Sequence, residues 1–415
     1  MFSCPTRAIE DPRTMTRLLA RLLRRSIPPA LSHGNALDIH TDGDACFEAL
    51  WADLDAAGQS IWMETYILDP DAIGLETLAR LRAAAARGCE VILVYDAVGS
   101  GSLGERHLEA LHAAGARVHA FNPLLRNPLR RAHAHDHGQA PRPWLFRDHR
   151  KLTLIDGRIG WLGGRNIGEH YAGERLGCPG AFRDTQVRVR GPAVADLAMA
   201  FQETLDELHA AQPPLPPASP PAGTASVEVL RGNGLRDRRE LQVRIRQAVL
   251  AARESVLITT PYPLLSRRLL RTLRRRVADG IEVRMLIPEH SDVYAVDLAR
   301  TRLIRQLVRQ GVRVYRYRRP MHTKTLVVDD AFALVGSFNL DIWGSAHNLE
   351  IGLAIHDTGA AARLAADFRA DLTDALSDPP PPSPLPRRAL EWLAQRALRI
   401  GLLHATRPGR EGAGN

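Results

Sequence analysis

Lysine is nearly absent from this chain. Of its 55 lysine and arginine residues only two are lysine, Lys151 and Lys324. Long apolar runs are missing too: no stretch of about 18 apolar residues occurs, which argues against a helix that crosses a bilayer. The opening residues, with Cys4, Arg7, Glu10, Asp11 and Arg13 ahead of any apolar run, do not form a secretory signal. Cysteine is scarce, and Cys4, Cys46, Cys89 and Cys178 lack metal-ligand spacing and imply no disulfide framework. Aromatic residues make up 5% of the chain, which disfavours the stacking platforms that enzymes of single-stranded nucleic acid present.

The two lysines sit in matching surroundings. The first lies in His149-Arg150-Lys151-Leu152-Thr153-Leu154-Ile155-Asp156, the second in His322-Thr323-Lys324-Thr325-Leu326-Val327-Val328-Asp329. A guanidinium is a wide planar fork, whereas an ammonium is a compact point charge on a flexible stem. A chain that writes Arg almost everywhere has kept the compact cation twice, each time two residues after a His. A phosphate oxygen is its natural partner. With 16 His in 415 residues, chance puts a His two places before a given Lys only about 4% of the time. The match also continues downstream, through Gly163-Gly164-Arg165-Asn166 and Gly336-Ser337-Phe338-Asn339. Two copies of His-x-Lys-x4-Asp-x6-Gly-(Gly/Ser)-x-Asn are a specific signal.

Local physics places these residues. Leu152–Ile155 and Leu326–Val328 are short β-branched apolar runs, each ending at an Asp, so each predicts a buried strand entering a hairpin at Asp156-Gly157 or Asp329-Asp330. Alternation along a strand points His149 and Lys151 to one face, and His322 and Lys324 likewise. Asp156 and Asp329 fall at the turn and are expected to orient the site or brace the turn rather than touch substrate. The glycine-rich ends of the return strands, Ile159–Leu162 and Phe332–Val335, allow close backbone approach, which suits an oxyanion.

The repeat reaches further upstream. Ser60–Tyr66 corresponds to Ser255–Pro261, Arg87–Leu93 to Asp279–Met285, and Ala114–Val118 to Gln310–Val314, with helical stretches between. Strand–helix–strand–helix–strand predicts an α/β fold of two similar halves, each a mixed, mostly parallel sheet flanked by helices. The expected divisions are a basic amphipathic segment at 1–35, a first half at 36–211, a Pro-rich linker at 212–225, a second half at 226–376, and a Pro-rich breaker with a basic amphipathic helix and tail at 377–415. The first half carries an insertion, roughly Pro123–Arg147, rich in Arg and His. It could hold an anionic substrate or simply be a solvated loop.

At these residues the chain resembles the phospholipase D superfamily, whose two His-x-Lys-x4-Asp repeats form one active site between similar halves. More narrowly it resembles the short bacterial cardiolipin synthases that lack amino-terminal transmembrane helices. The supporting strings are Glu64-Thr65-Tyr66-Ile67, Asp96-Ala97-Val98-Gly99-Ser100, Gly163–Ile167, Arg190-Gly191-Pro192-Ala193-Val194, Val335–Asp341 and Asn348-Leu349-Glu350. One departure is Ile342-Trp343-Gly344-Ser345, where family members usually carry an Arg-Ser pair. The resemblance implies a phosphatidyl transfer to the hydroxyl of phosphatidylglycerol through a phosphohistidine, with no cofactor and no metal. It implies His149, Lys151, Asp156, His322, Lys324 and Asp329 as the catalytic signature, Asp184 and Glu350 as His-orienting carboxylates, and Gly164, Asn166, Ser337 and Asn339 in the phosphate pocket. It favours His149 as the nucleophile on phosphorus and His322 as the acid for the departing alcohol, a choice the residues alone leave open. Hydrolysis of a phospholipid or of a nucleic acid by the same two-His site is the alternative. Tyr66, Tyr262 and Trp343 line either an acyl or glycerol path or the core.

The net charge of +9 fits an anionic partner. Met15–Ile27 and Arg387–Leu403 both read as short basic amphipathic helices, the second with Trp392 as an interfacial anchor. Such helices either lie in a bilayer interface or dock on the core with solvated Arg faces. The expected partners are an anionic phospholipid (phosphatidylglycerol, with phosphatidylethanolamine a second donor) and a membrane surface, with no nucleic acid. The expected place is the cytoplasmic face of the membrane, bound peripherally.

Overall fold

The computed structural model describes residues 30–123, 146–233, 235–263, 265–291, 294–339, 348–377 and 384–400. The amino-terminal Met15–Ile27 stretch, most of the Arg-rich insertion, the 342–345 departure with Trp343, and the tail beyond 400 lie outside the described residues.

The first half contributes seven strands: β1 (Ser32–His40), β2 (Ser60–Thr65), β3 (Glu90–Asp96), β4 (Arg117–Phe121), β5 (Leu152–Ile155), β6 (Ile159–Gly163) and β7 (Gln186–Arg190). The second half repeats them as β8 (Ala225–Gly232), β9 (Ser255–Thr259), β10 (Glu282–Pro288), β11 (Arg313–Tyr317), β12 (Thr325–Val328), β13 (Phe332–Gly336) and β14 (Glu350–His356), and adds β15 (Ala375–Leu376). The spatial order is β1-β7-β6-β5-β2-β3-β4 in one half and β8-β14-β13-β12-β9-β10-β11 in the other, so the topology is duplicated strand for strand. Antiparallel pairing of β1 with β8 fuses the two into one 15-stranded sheet.

The fold is α/β and two-halved, with one correction. Only β2-β3-β4 and β9-β10-β11 pair in parallel, and the other pairings are antiparallel. The expectation of a mostly parallel sheet came from the strand–helix rhythm of those three strands. The signature hairpins that follow need no crossover helix and therefore run antiparallel.

Nine helices carry labels among the described residues. In the first half α1 (Gly43–Ala56), α2 (Ala72–Ala86) and α3 (Glu105–Ala113) cover the outer sheet face, and α4 (Ala193–Leu208) the inner one. Their counterparts in the second half are α5 (Leu235–Ala251), α6 (Arg267–Ala278) and α7 (Tyr294–Arg309) outside and α8 (Thr358–Asp371) inside; α9 (Leu385–Ile400) lies on α7. Asp42, Asp71, Ser266 and Asp357 cap α1, α2, α6 and α8 by accepting a backbone N–H three residues on, which satisfies a helix-end donor.

Three cores result. One lies under α1–α3 and one under α5–α7. The largest lies between the halves, where Phe201 and Leu197 of α4 and Phe368 and Leu364 of α8 meet strands of both. The halves therefore share a core and a sheet. The Pro-rich segment is docked, with Ser219 Oγ donating to the Gly157 carbonyl at 2.9 Å.

Candidate active site

Each signature strand is short and buried; along β5, Leu152 and Leu154 face the shared core and Ile155 the outer one. Thr153 and Ile155 of β5 pair with Met63 and Ile61 of β2, and the strand opens directly from His149-Arg150-Lys151. β12 repeats this against β9. At the far end of each strand the chain turns through two residues of positive φ, Asp156 (52°) and Gly157 (61°) in one half, Asp329 (53°) and Asp330 (50°) in the other. That left-handed pair matches the twist of a hairpin.

Asp156 and Asp329 act as clamps at those turns. The Asp156 carboxylate accepts backbone N–H groups of Gly58, Gln59 and Ser60 at 2.9, 2.7 and 2.8 Å. Asp329 accepts those of Arg253, Glu254 and Ser255 at 2.8, 2.8 and 2.9 Å. Each fastens the start of the neighbouring strand, β2 or β9, and stands at the opposite end of its own strand from the imidazole.

The two imidazoles are held across the join. His149, from the first half, has Nδ1 3.1 Å from both oxygens of Glu350, in the second half. His322, from the second half, has Nδ1 2.7 Å from Oδ2 of Asp184, in the first. Backbone bonds lock the same exchange: His149 N–H donates to the Leu349 carbonyl at 3.0 Å, and His322 N–H to the Arg183 carbonyl at 2.9 Å. Each ammonium folds back on its own imidazole residue. Lys151 Nζ donates to the His149 carbonyl at 2.7 Å, and Lys324 Nζ to that of His322.

The Gly-(Gly/Ser) pair does something other than cradle an oxyanion. The backbone N–H of Gly164 is spent on the Thr185 carbonyl at 3.0 Å and that of Ser337 on Ile351 at 2.9 Å. A Cβ at Gly164 would meet Asp184 Oδ1 at 2.3 Å, so glycine is there to admit the carboxylate. At the matching place Ser337 Oγ donates to Glu350. Both small residues thus serve the carboxylate of their own half, and through it the imidazole of the other. Asn166 Oδ1 accepts from Ile67 N–H at 3.3 Å, while its buried Nδ2 has no hydrogen-bond partner among the described residues. Asn339 likewise has a buried Oδ1 with no partner among the described residues.

Electrostatics tie the pairs together. Burial pushes the His149 imidazole down to about 4 against the pull of Glu350, with Lys151 and Lys324 helping to lower it. Burial, then Lys324, also lowers His322, while Asp184 opposes them. Burial pushes the Lys151 ammonium down to about 7, with Glu350 opposing and Lys324 adding to the fall. The Asp184 carboxyl is held well below the usual range: burial works against this, but His322, Lys324 and Arg165 outweigh it. Each imidazole feels the other half's ammonium, which couples the two pairs.

Several residues escaped the sequence reading. Tyr171 and Phe182 place rings 5.4 and 6.0 Å from the His322 ring, whereas Tyr66, which the sequence assigned either to a substrate path or to the core, lies 4.9 Å from the His149 ring. Nothing in the spacing announces Tyr171 or Phe182. Arg150 could have been found. Between His149 and Lys151 it must point to the opposite, core face, where an Arg needs partners. It donates to the Glu350 carbonyl at 3.3 Å, to Thr204 Oγ1 at 3.2 Å and to Glu203 at 3.0 Å. Tyr262 packs under α9 beside Ala394.

Comparison with known proteins agrees with this architecture. A family profile described as "Cardiolipin synthase, PLD-like domain" matches residues 50–174 and 245–372, one segment in each half. Cardiolipin synthase A of Pseudomonas aeruginosa is 33% identical over 388 residues, covering 93% of this chain and 76% of that one. The major cardiolipin synthase of Bacillus subtilis is 30% identical over 344 residues, covering 81% and 69%. Among solved structures, the phosphatidylserine synthase of Haemophilus influenzae superposes with a TM-score of 0.64 at 14% identity, covering 94% of this chain and 98% of that one, a likeness of fold. With both halves matched and the paired signature in place, this chain belongs to the phospholipase D-like cardiolipin synthase family.

Proposed function

We propose that the protein transfers a phosphatidyl group to the hydroxyl of phosphatidylglycerol, forming cardiolipin, by way of a phosphohistidine on His149. The observation that supports this is the pair of imidazoles, each with Nδ1 on a carboxylate of the other half. A ring whose Nδ1–H is bound to a carboxylate offers Nε2 to substrate.

The steps follow from the groups present. Lys151, Lys324 and the Asn166 amide hold the non-bridging oxygens of the donor phosphodiester. His149, kept neutral by burial, attacks phosphorus through Nε2, forming an N–P bond as the P–O bond to the headgroup alcohol breaks. His322 gives its proton to that leaving oxygen. The phosphate anion partly neutralises the two ammonium groups that depress His322, so the imidazole recovers affinity for a proton as substrate binds. The shorter, 2.7 Å bond to a strongly acidic Asp184 suits His322 to carrying that charge. In the second step neutral His322 removes the proton from the phosphatidylglycerol hydroxyl, whose oxygen attacks phosphorus and releases His149. The donor is phosphatidylglycerol or phosphatidylethanolamine, and the enzyme works peripherally on the cytoplasmic face of the membrane.

Purified protein incubated with labelled phosphatidylglycerol, with and without phosphatidylethanolamine, should yield labelled cardiolipin and the free headgroup alcohol. Phosphatidic acid as the sole labelled product would replace transfer by hydrolysis.

A further inference from the structure

The two halves repeat in topology but not in charge. The outer helices of the first half, α1–α3, carry three Arg against seven Asp and Glu. Their counterparts α5, α6 and α7 carry five, six and four Arg against three acidic residues in all. An excess of this size on one flank creates a field that a symmetric duplication would not. Its densest part is α6, where Arg267, Arg268, Arg271, Arg274 and Arg275 are exposed. Of these five, only Arg275 comes within 4.0 Å of a carboxylate, that of Asp279, among the described residues.

On the same flank α9 is laid against α7 in an unusual manner. It docks through Glu391, which meets Arg305 at 3.3 Å, and through Ala394, packed on Ala299. A helix kept for its packing would bury its largest apolar residues. This one leaves Leu390, Trp392 and Leu393 at 55, 41 and 54% exposed. Arg396 stacks over Trp392 at 5.4 Å, and Arg387 and Arg388 are exposed one turn earlier. Tyr262, which packs beside Ala394, follows the end of β9 nearest the Lys324 pair by three residues. The helix therefore packs on a residue three positions beyond the strand that pairs with β12.

We propose that this flank, the outer face of α5–α7 together with α9, is the surface on which the enzyme docks to an anionic lipid bilayer. Arginines alone would suit any polyanion. Two leucines and a tryptophan bordered by arginine suit an interface that is charged at the headgroups and apolar just beneath. A nucleic-acid duplex offers nothing to those leucines. The surface rests on the phospholipid reading only for its biological sense, since the charge and apolar pattern stand without it.

Flotation of the full chain with vesicles tests this without reading chemistry. Vesicles of phosphatidylcholine containing phosphatidylglycerol should bind the wild-type protein tightly, and those of phosphatidylcholine alone weakly. Replacing Arg267, Arg271, Arg274 and Arg275 together by Gln should weaken binding to the anionic vesicles roughly fivefold per arginine, several hundredfold in all. A second variant, Leu390→Ser with Trp392→Ser and Leu393→Ser, should lose vesicle binding while keeping its affinity for heparin resin. Both should turn over a short-chain phosphatidylglycerol in detergent micelles as the wild type does, and unfold at the same temperature. Unchanged vesicle binding in the quadruple variant would overturn the proposal. So would a loss of duplex DNA binding in that variant with vesicle binding intact, which would make the flank a nucleic-acid surface. If the wild type binds vesicles as described but makes no cardiolipin, the activity is wrong and the surface stands.

Discussion

At the scale of single residues, three ionisations govern the proposed mechanism. There His149 would attack only as the neutral ring, which is present above its pKa of about 4. His322 would give a proton only as the imidazolium, which burial and then Lys324 disfavour. Lys151 would hold phosphate only as the ammonium, which is present below its pKa of about 7. In pH–rate profiles kcat/KM should therefore rise through pH about 4 and be falling by about 7, as His322 loses its proton and Lys151 its charge, the limbs of the free enzyme. Lys151→Arg should lower the rate on the order of a hundredfold, because the planar fork cannot take the place of a compact cation folded against the His149 carbonyl. It should also remove the Lys151 share of the alkaline fall and leave that of His322, since guanidinium stays charged. An Arg variant with wild-type rate would remove the reason for the two lysines. That reason was legible in the sequence, from the chain's scarcity of lysine. The small residues were not legible in the same way: Gly164 and Ser337 look like an oxyanion cradle until Asp184 and Glu350 are seen beside them. Sequence spacing says where a glycine is, not which distant carboxylate needs its missing side chain.

At the scale of the element, the signature hairpin is held by its own aspartate. Asp156 and Asp329 each take three backbone N–H groups from the segment leading into β2 or β9. Asp156→Ala or Asp329→Ala leaves those donors without their acceptor and should cost about 2 kcal/mol or more in urea unfolding. The specific activity of the protein that remains folded should stay within a few fold. A variant with full stability and no activity would move the aspartate from the frame to the chemistry. Period-two alternation foretold this place, since an Asp at odd spacing from the His and at the turn cannot share its face. The same rule, with no knowledge of α4, gave no partner for Arg150. Its network with Glu203 and the Glu350 carbonyl depends on a helix more than 40 residues away in the chain.

At the scale of the whole molecule, duplication was plain in the sequence and exchange was not. Two repeats could have made two sites. Instead β1 joins β8, the inner helices α4 and α8 share a core, and each imidazole takes its carboxylate from the opposite half. Pairing of this sort depends on how the halves face one another, and no spacing within either half records it. The proposed mechanism divides labour between the two histidines, and one measurement addresses that division directly. A phosphatidyl ester of p-nitrophenol has a leaving group that needs no acid, so forming the N–P bond on His149 requires only the nucleophile. Rapid mixing of His322→Ala with this ester should release about one equivalent of p-nitrophenolate in a burst and leave an acid-labile phosphoenzyme, whereas His149→Ala should give neither. A burst from His149→Ala, or none from either variant, would contradict the account.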